Sequence, residues 1–299
     1  MFPFSEDLLA NRLGISLKGL WFLIRHMDGE SQEYSIYSMK RIRTGKKVRI
    51  AWQASKSLAK LHKNLTEALL EHYKGNGYSY AYVRGRSILD AVTPFVGCKY
   101  IYTLDIKNHF PSIRMTAVKR CLVKIGISER MAFMIARLCC VRYKGIDILA
   151  QGFSISPFIA NLVSELELDP VILDNIDSSC TYVRYSDNLF IGANEIQKDL
   201  LLTVSRAIQQ NTGLIAHKLR CMPYYRQQRL LGLVVNTRVN APKKVITSLV
   251  GCMYMACKEE VKDLEKITTL KARAKYYLPF LQGRNKSKVE KALLEMEKL

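Results

Sequence analysis

Apolar and polar residues alternate along YSIYSMKRIRTGKKVRIAW (34–52), and the RTGK at its centre predicts the turn of a basic hairpin. The period then lengthens: Leu58, Leu61, Leu65 and Leu69 recur at helical spacing through KSLAKLHKNLTEALLEHY. YIYTLDI (100–106) is a short apolar strand that closes on an acid, and the pattern from Met115 to Tyr143 is helical. SPFIANLVSELELDPVILD (156–174) predicts a second long helix, with Pro157 tolerated in its first turn. TYVRYSDNLFIGA (181–193) reads as two strands around a turn. A helix over 196–212, strands at LIAHKL and RLLGLVVN, and a helical, basic run from Pro242 onward complete the chain. There is no internal repeat and no low-complexity segment. Strand, helices, hairpin, helix and strand in this order predict an α+β sheet with helices packed on one face.

Charge changes this picture. Lys and Arg number 46 against 26 Asp and Glu, a net charge of +20 over 299 residues. The cations cluster. No acid falls between Tyr34 and Thr66, where Lys40, Arg41, Arg43, Lys46, Lys47, Arg49, Lys56, Lys60 and Lys63 lie, and none falls between Leu200 and Lys258. Folding alone gives no reason to exclude acids from two such stretches, whereas a polyanion does, because each cation near a phosphate releases condensed counterions. Nucleic acid is the expected partner. No apolar run reaches the roughly 20 residues of a membrane span, and the first residues lack the basic and apolar regions of a signal peptide. The eight cysteines have no CxxC pairing and are expected to be small buried hydrophobes rather than disulfides or zinc ligands, which fits a cytoplasmic protein.

Within this basic chain two acids stand on apolar strands, Asp105 at the end of YIYTLDI and Asp187 at the tip of TYVRYSDN. A charged carboxylate at a buried strand end needs a cation, which can be Lys, Arg or a metal. Mg²⁺ takes one or two protein carboxylates and fills its shell with water and phosphate oxygens. Asp-Asn is also a good turn pair, so Asp187 taken alone fits hairpin chemistry equally well.

The ordered set of motifs resembles bacterial reverse transcriptases. LDIKNHFPSI is similar to their first catalytic motif, QGFSISPFIANLVSELELD to the second, YVRYSDNLFIG to the YxDD hairpin and GLIAHKLRCM to the lysine-bearing motif after it. VRGRSILDAV resembles the element before the first motif, and RLLGLVVNTRVNAPKK the segment leading into the thumb. The resemblance implies a right-hand polymerase fold with an antiparallel palm sheet backed by helices, divided as 1–98 (N-terminal segment and fingers), 99–240 (palm) and 241–299 (helical thumb).

It also implies roles. Asp105 and Asp187 would hold two Mg²⁺ ions, which Mn²⁺ could replace, with the Ile106 carbonyl and Asn188 as further ligands. Lys218 would protonate departing pyrophosphate, and Phe110 would stand where a ring excludes a ribose 2′-OH, selecting dNTPs. Gln151 and Gly152 would lie against the incoming nucleotide, and Lys47 and Arg49 would reach its triphosphate. Arg84 and Arg86 would contact template backbone; Arg226, Arg229, Lys243 and Lys244 would grip duplex and RNA.

In size and layout the chain is most similar to retron reverse transcriptases, which copy a dedicated structured noncoding RNA into DNA in anti-phage defence, often beside an effector protein. Three family marks are altered: the second hairpin aspartate is Asn188, DAVTP (90–94) replaces an NAxxH-like element, and LLG (230–232) replaces VTG. Asn188 loses a negative charge beside the metal site, which keeps open a catalytically weak RNA-binding scaffold. An untemplated terminal transferase on the same palm is a further alternative, and within the family another defence-associated reverse transcriptase or a group II intron-derived enzyme stays open beside the retron type.

Overall fold

The computed structural model describes residues 6–27, 37–44, 47–259 and 263–298, with the side chains of Leu8, Arg12 and residues 43–49 outside that description. Helices α1 (Glu6–Leu13) and α2 (Leu17–His26) precede the hairpin β1 (Tyr37–Thr44) and β2 (Lys47–Ala54), and α3 (Lys56–His72) follows. Then come α4 (Ile88–Val92), β3 (Tyr100–Ile106), α5 (His109–Ser112), α6 (Met115–Lys124), α7 (Glu129–Cys139), β4 (Cys140–Tyr143) and β5 (Ile146–Leu149). Helix α8 (Ser156–Val163) passes through one π-helical turn (Ser164–Leu168) into α9 (Asp169–Leu173). The remaining elements are β6 (Thr181–Tyr185), β7 (Asn188–Ala193), α10 (Leu200–Thr212), β8 (Ala216–Pro223), β9 (Arg229–Leu230), β10 (Leu233–Val234), α11 (Lys243–Lys258), α12 (Leu264–Tyr277) and α13 (Gly283–Glu297).

The chain divides into two compact units, one of residues 1–86, 102–191 and 197–220 and one of 87–101, 192–196 and 221–299. The first carries the candidate site. Its core packs Leu58, Leu61, Leu65 and Leu69 of α3 with Met134, Ile135 and Leu138 of α7 and Ile159 and Leu162 of α8. The leucine spacing read from sequence is therefore the buried stripe of α3, which Ser55 caps by accepting the Leu58 N–H. The second unit ends in a bundle in which Ile246, Leu249 and Met253 of α11 meet Ile267 and Leu270 of α12 and Val289 and Leu293 of α13.

The central sheet has the order β6-β7-β3-β8, an α+β arrangement as expected. Along β3, Leu104 and Ile106 are buried and Asp105 between them is half-buried, so strand alternation turns the acid to the opposite face. Three expectations change. The helical pattern over 115–143 ends at Cys139, and Cys140–Tyr143 pairs antiparallel with Ile146–Leu149 as a small hairpin. Cys140 and Val141 continue the apolar run that closes α7, so periodicity does not mark where the helix stops and β4 begins. The helix over 156–174 is interrupted by its π turn. The thiols of Cys121, Cys139 and Cys140 are buried as expected, but Cys221 and Cys252 are exposed.

His62 on α3 sits in this core, donating Nε2–H to the Leu138 carbonyl at 2.8 Å, and burial holds its imidazole down at about 4. As pH falls below about 6.5 the unfolded chain takes up a proton that the native one refuses, so stability is lost toward acid. The loss from this group reaches about 3 kcal/mol by pH 4. A His62→Gln chain, followed by urea unfolding at pH 7 and pH 4, should lose correspondingly less stability across that interval.

Candidate active site

The site is assembled by backbone bonds on either side of β3. Ile106 donates its N–H to the Asp187 carbonyl at 2.8 Å, and Lys107 donates to the Ile215 carbonyl at 2.8 Å. The first bond sets β3 against the β6–β7 turn, so Asp105 and Asp187 occupy adjoining strand ends. Both line a cavity of about 670 Å³, with Ile106, Phe110, Gln151 and Lys218 also in its wall. These are six of the residues read from sequence. Trp52 and Tyr82 close the wall, and neither was expected there.

Two side chains of β8 reach Asp105. Lys218 Nζ donates to its Oδ2 at 2.6 Å, and His217 Nε2 bonds to its Oδ1. Adjacent strand residues normally point to opposite faces. Lys218 has φ +54°, a left-handed conformation costing a non-glycine residue about 1–2 kcal/mol, and this break in alternation lets both side chains reach one carboxylate. His217 belonged to the LIAHKL strand in the sequence, but nothing local marked it as functional.

The hairpin turn is Ser186-Asp187, not Asp187-Asn188. Ser186 carries the positive φ (+58°), while Asn188 opens β7 and donates its amide to Asp187 Oδ1 at 3.1 Å and to the Tyr185 carbonyl at 3.4 Å. Asn188 thus serves Asp187 as a hydrogen-bond donor, which an aspartate there could not do while ionised.

Below the hairpin lies a buried ion network that the sequence reading missed. Arg184 is fully buried; its Nε donates to Asp169 Oδ1 at 2.8 Å, its Nη2 to Asp169 Oδ2 at 3.2 Å and its Nη1 to Asn161 Oδ1 at 2.8 Å. Tyr182 adds its hydroxyl to Asp169 Oδ1 at 2.8 Å, and Asn76 donates to Asp169 Oδ2 at 3.2 Å. Glu165, from the π turn, approaches Arg184 at 3.7 Å, and burial raises its carboxyl above the ordinary range. The signal was a lone arginine in an otherwise apolar strand, TYVRY. His109 lies buried nearby, bonded through Nε2 to Ser164 Oγ at 3.1 Å; burial and then Arg184 push its pKa down to about 3.

Other expected residues fall elsewhere or serve other ends. Gly152 has φ +112°, and a Cβ there would stand 2.6 Å from the Trp52 carbonyl oxygen. Trp52 N–H also donates to the Gln151 carbonyl at 2.8 Å. The close approach that requires glycine is therefore to β2, where a nucleotide had been expected. Arg86 spends Nη1 on the Gly77 and Ser79 carbonyls, both at 2.5 Å, and lays its guanidinium over Tyr80 at 4.5 Å. It ties the 77–86 loop together, which departs from the template contact expected of it. Arg84 is exposed. Lys47 and Arg49 lie on β2, but their side chains are outside the described residues. Arg226, Arg229, Lys243 and Lys244 are exposed in the second unit.

The donor set fits a hard divalent ion. It comprises two carboxylates, one on β3 and one on the β6–β7 turn, within the one or two that Mg²⁺ uses. Two carboxylates, a lysine and an aromatic wall surround one cavity, a set of groups suited to metal-assisted chemistry on phosphates.

The chain belongs to the reverse transcriptase (RNA-dependent DNA polymerase) family, whose model matches residues 41–233. Among its curated relatives, the retron Ec86 reverse transcriptase of Escherichia coli is 28% identical over 74% of this chain and 68% of its own length. The retron Mx65 and Mx162 reverse transcriptases of Myxococcus xanthus are 23% and 25% identical over 86% and 91% of the chain. The chain spans 64% and 63% of these two, less than two thirds of their length. Among solved structures, apo telomerase from Candida tropicalis shares the fold with a TM-score of 0.52 at 13% identity, covering 90% of this chain and 57% of that one. The same telomerase truncated from its C-terminal domain gives 0.50 at 13% identity, over 76% of this chain and 61% of its own.

Removing one partner of the buried network leaves the other charged and desolvated. Arg184→Ala is expected to destabilise the chain by about 3–5 kcal/mol, whereas Arg184→Leu combined with Asp169→Leu should recover most of that loss. Urea unfolding of the two variants measures the difference.

Proposed function

We propose that this chain copies an RNA template into DNA from dNTPs by two-metal nucleotidyl transfer, with Mg²⁺ as the working ion and Mn²⁺ as a substitute. The observation that carries this reading is the convergence of Asp105 and Asp187 on one cavity wall with Phe110, Gln151 and Lys218. Bound divalent ions would activate the attacking 3′ oxygen and stabilise the leaving one. Asp105 and Asp187 hold them, with the Ile106 carbonyl alongside. Asn188 orients Asp187 through its amide.

Lys218, bonded to Asp105 here, would supply from its Nζ the proton that departing pyrophosphate takes up. Phe110 sets the sugar preference by occupying the space of a 2′-OH. Gln151 faces the nucleotide, and its backbone bond to Trp52 holds β2, from which Lys47 and Arg49 reach the phosphates. Arg84 contacts template backbone; Arg226, Arg229, Lys243 and Lys244 bind duplex and RNA phosphates.

The finer reading is a retron reverse transcriptase, built as fingers (1–98), palm (99–240) and thumb (241–299) and working in the cytoplasm on its own structured noncoding RNA in anti-phage defence, with a neighbouring effector protein as partner. Similarity to several retron enzymes supports it.

Primer extension tests the site. Asp105→Ala and Asp187→Ala should each abolish template-dependent dNTP incorporation with Mg²⁺ and with Mn²⁺; full activity in either variant rules out the assignment. Phe110→Ala should incorporate ribonucleotides at least tenfold more readily relative to dNTPs, and unchanged discrimination removes the gate.

A further inference from the structure

The second unit holds an exposed aromatic pair that the site does not use. Tyr224 and Tyr225 follow β8 in PYYRQQR, 60% and 72% exposed, with ring centroids 5.8 Å apart and planes at 80°. Scattered exposed aromatics are ordinary. These two are adjacent and stand on a loop fixed from below. Gln228, fully buried, donates Nε2 to the Cys98 and Met222 carbonyls, both at 3.0 Å. Asn236 donates Nδ2 to the Tyr224 and Arg226 carbonyls at 2.9 and 2.8 Å and accepts the Gln228 N–H at 2.9 Å. Tyr224 N–H reaches the Lys99 carbonyl at 2.7 Å. A loop anchored at this many points presents its rings with little conformational entropy left to lose on binding.

The charge beside the rings selects the partner. Arg226 is exposed on the same loop and Arg229 at the start of β9 that follows it, and no Asp or Glu occurs in the chain from Leu200 to Lys258. An aromatic pair beside arginines could also anchor a protein partner, but a stretch without acids favours a polyanion. Rigid rings flanked by cations are how single-stranded nucleic acids are held, bases stacking on the rings and phosphates on the arginines.

We propose that Tyr224 and Tyr225 form a stacking site for unpaired bases of single-stranded RNA, with Arg226 and Arg229 on the adjoining phosphates. The choice of RNA over DNA rests on the reading that this chain copies RNA; the stacking itself does not.

The test uses the full chain without dNTPs or metal, so its result does not depend on polymerisation. Fluorescence anisotropy would follow binding of a short unstructured RNA, the DNA of the same sequence, and a blunt RNA duplex. Each tyrosine changed to alanine should weaken binding of the unstructured RNA about tenfold while leaving its salt dependence unchanged. Tyr224→Phe and Tyr225→Phe should bind as the parent does. Arg226→Ala should instead lower the slope of log affinity against log salt by about one. The duplex should bind all the tyrosine variants equally, which also reports that they are folded. Undiminished RNA binding by the double alanine variant overturns the proposal, as does an equal loss on the duplex or a loss confined to DNA. Undiminished RNA binding with loss of a protein partner would assign the rings to that partner.

Discussion

The site depends on a charge placed where charges are costly. Arg184 lies on β6, three residues before Asp187, and its guanidinium has no access to water. Stripping such an ion of solvent costs several kcal/mol, and the cost is offset only when every donor finds an acceptor in good geometry. Asp169 and Asn161 supply those acceptors from α8 and α9, and the backbone of Arg184 is bonded on both sides to Tyr78 and Tyr80. Through side chain and backbone together, Arg184 therefore ties β6 to the 161–169 helical segment and to the 78–80 segment. A small shift of β6 would break bonds that water cannot replace, and the Asp187 turn inherits that rigidity.

The opposite face carries the complementary constraint. In a chain with a net charge of +20, Asp105 sits against a lysine already delivered to it, and Asp187 accepts the Asn188 amide. The left-handed backbone at Lys218 is the cost of putting consecutive side chains on one carboxylate, and such strain collects where geometry serves chemistry. The resulting arrangement gives each oxygen of the Asp105 carboxylate a protein partner, Lys218 on one and His217 on the other.

Much of this was legible in the sequence, for identifiable reasons. Asp105 and Asp187 stood out because an acid closing an apolar strand is anomalous, and the strands were found because their apolar runs are bounded by turns. Phe110, Gln151 and Lys218 became legible only through the ordered motifs, since each residue alone fits a bland role. What failed was whatever depends on backbone conformation at one residue or on distant partners. The positive φ falls on Ser186 and Lys218 rather than on the Asn188 that local preference favours. Gly152 was understood as making room for a ligand, whereas it makes room for the backbone of Trp52, 100 residues away in sequence. Arg86 was expected on template backbone, whereas its partners are the carbonyls of its own loop.

The pairing of Tyr78 and Tyr80 with Arg184 has a consequence for the sheet as a whole. In the order β6-β7-β3-β8, β6 is an outer strand, and an uncovered outer strand offers its free amides and carbonyls to any other extended chain. The segment around Ser79 occupies that row in parallel register and is itself held by Arg86. In the folded chain the strand that leads to the Asp187 turn is thereby withheld from strand addition. The 76–86 loop is therefore a guard against self-association, and changes that loosen it would first cost solubility.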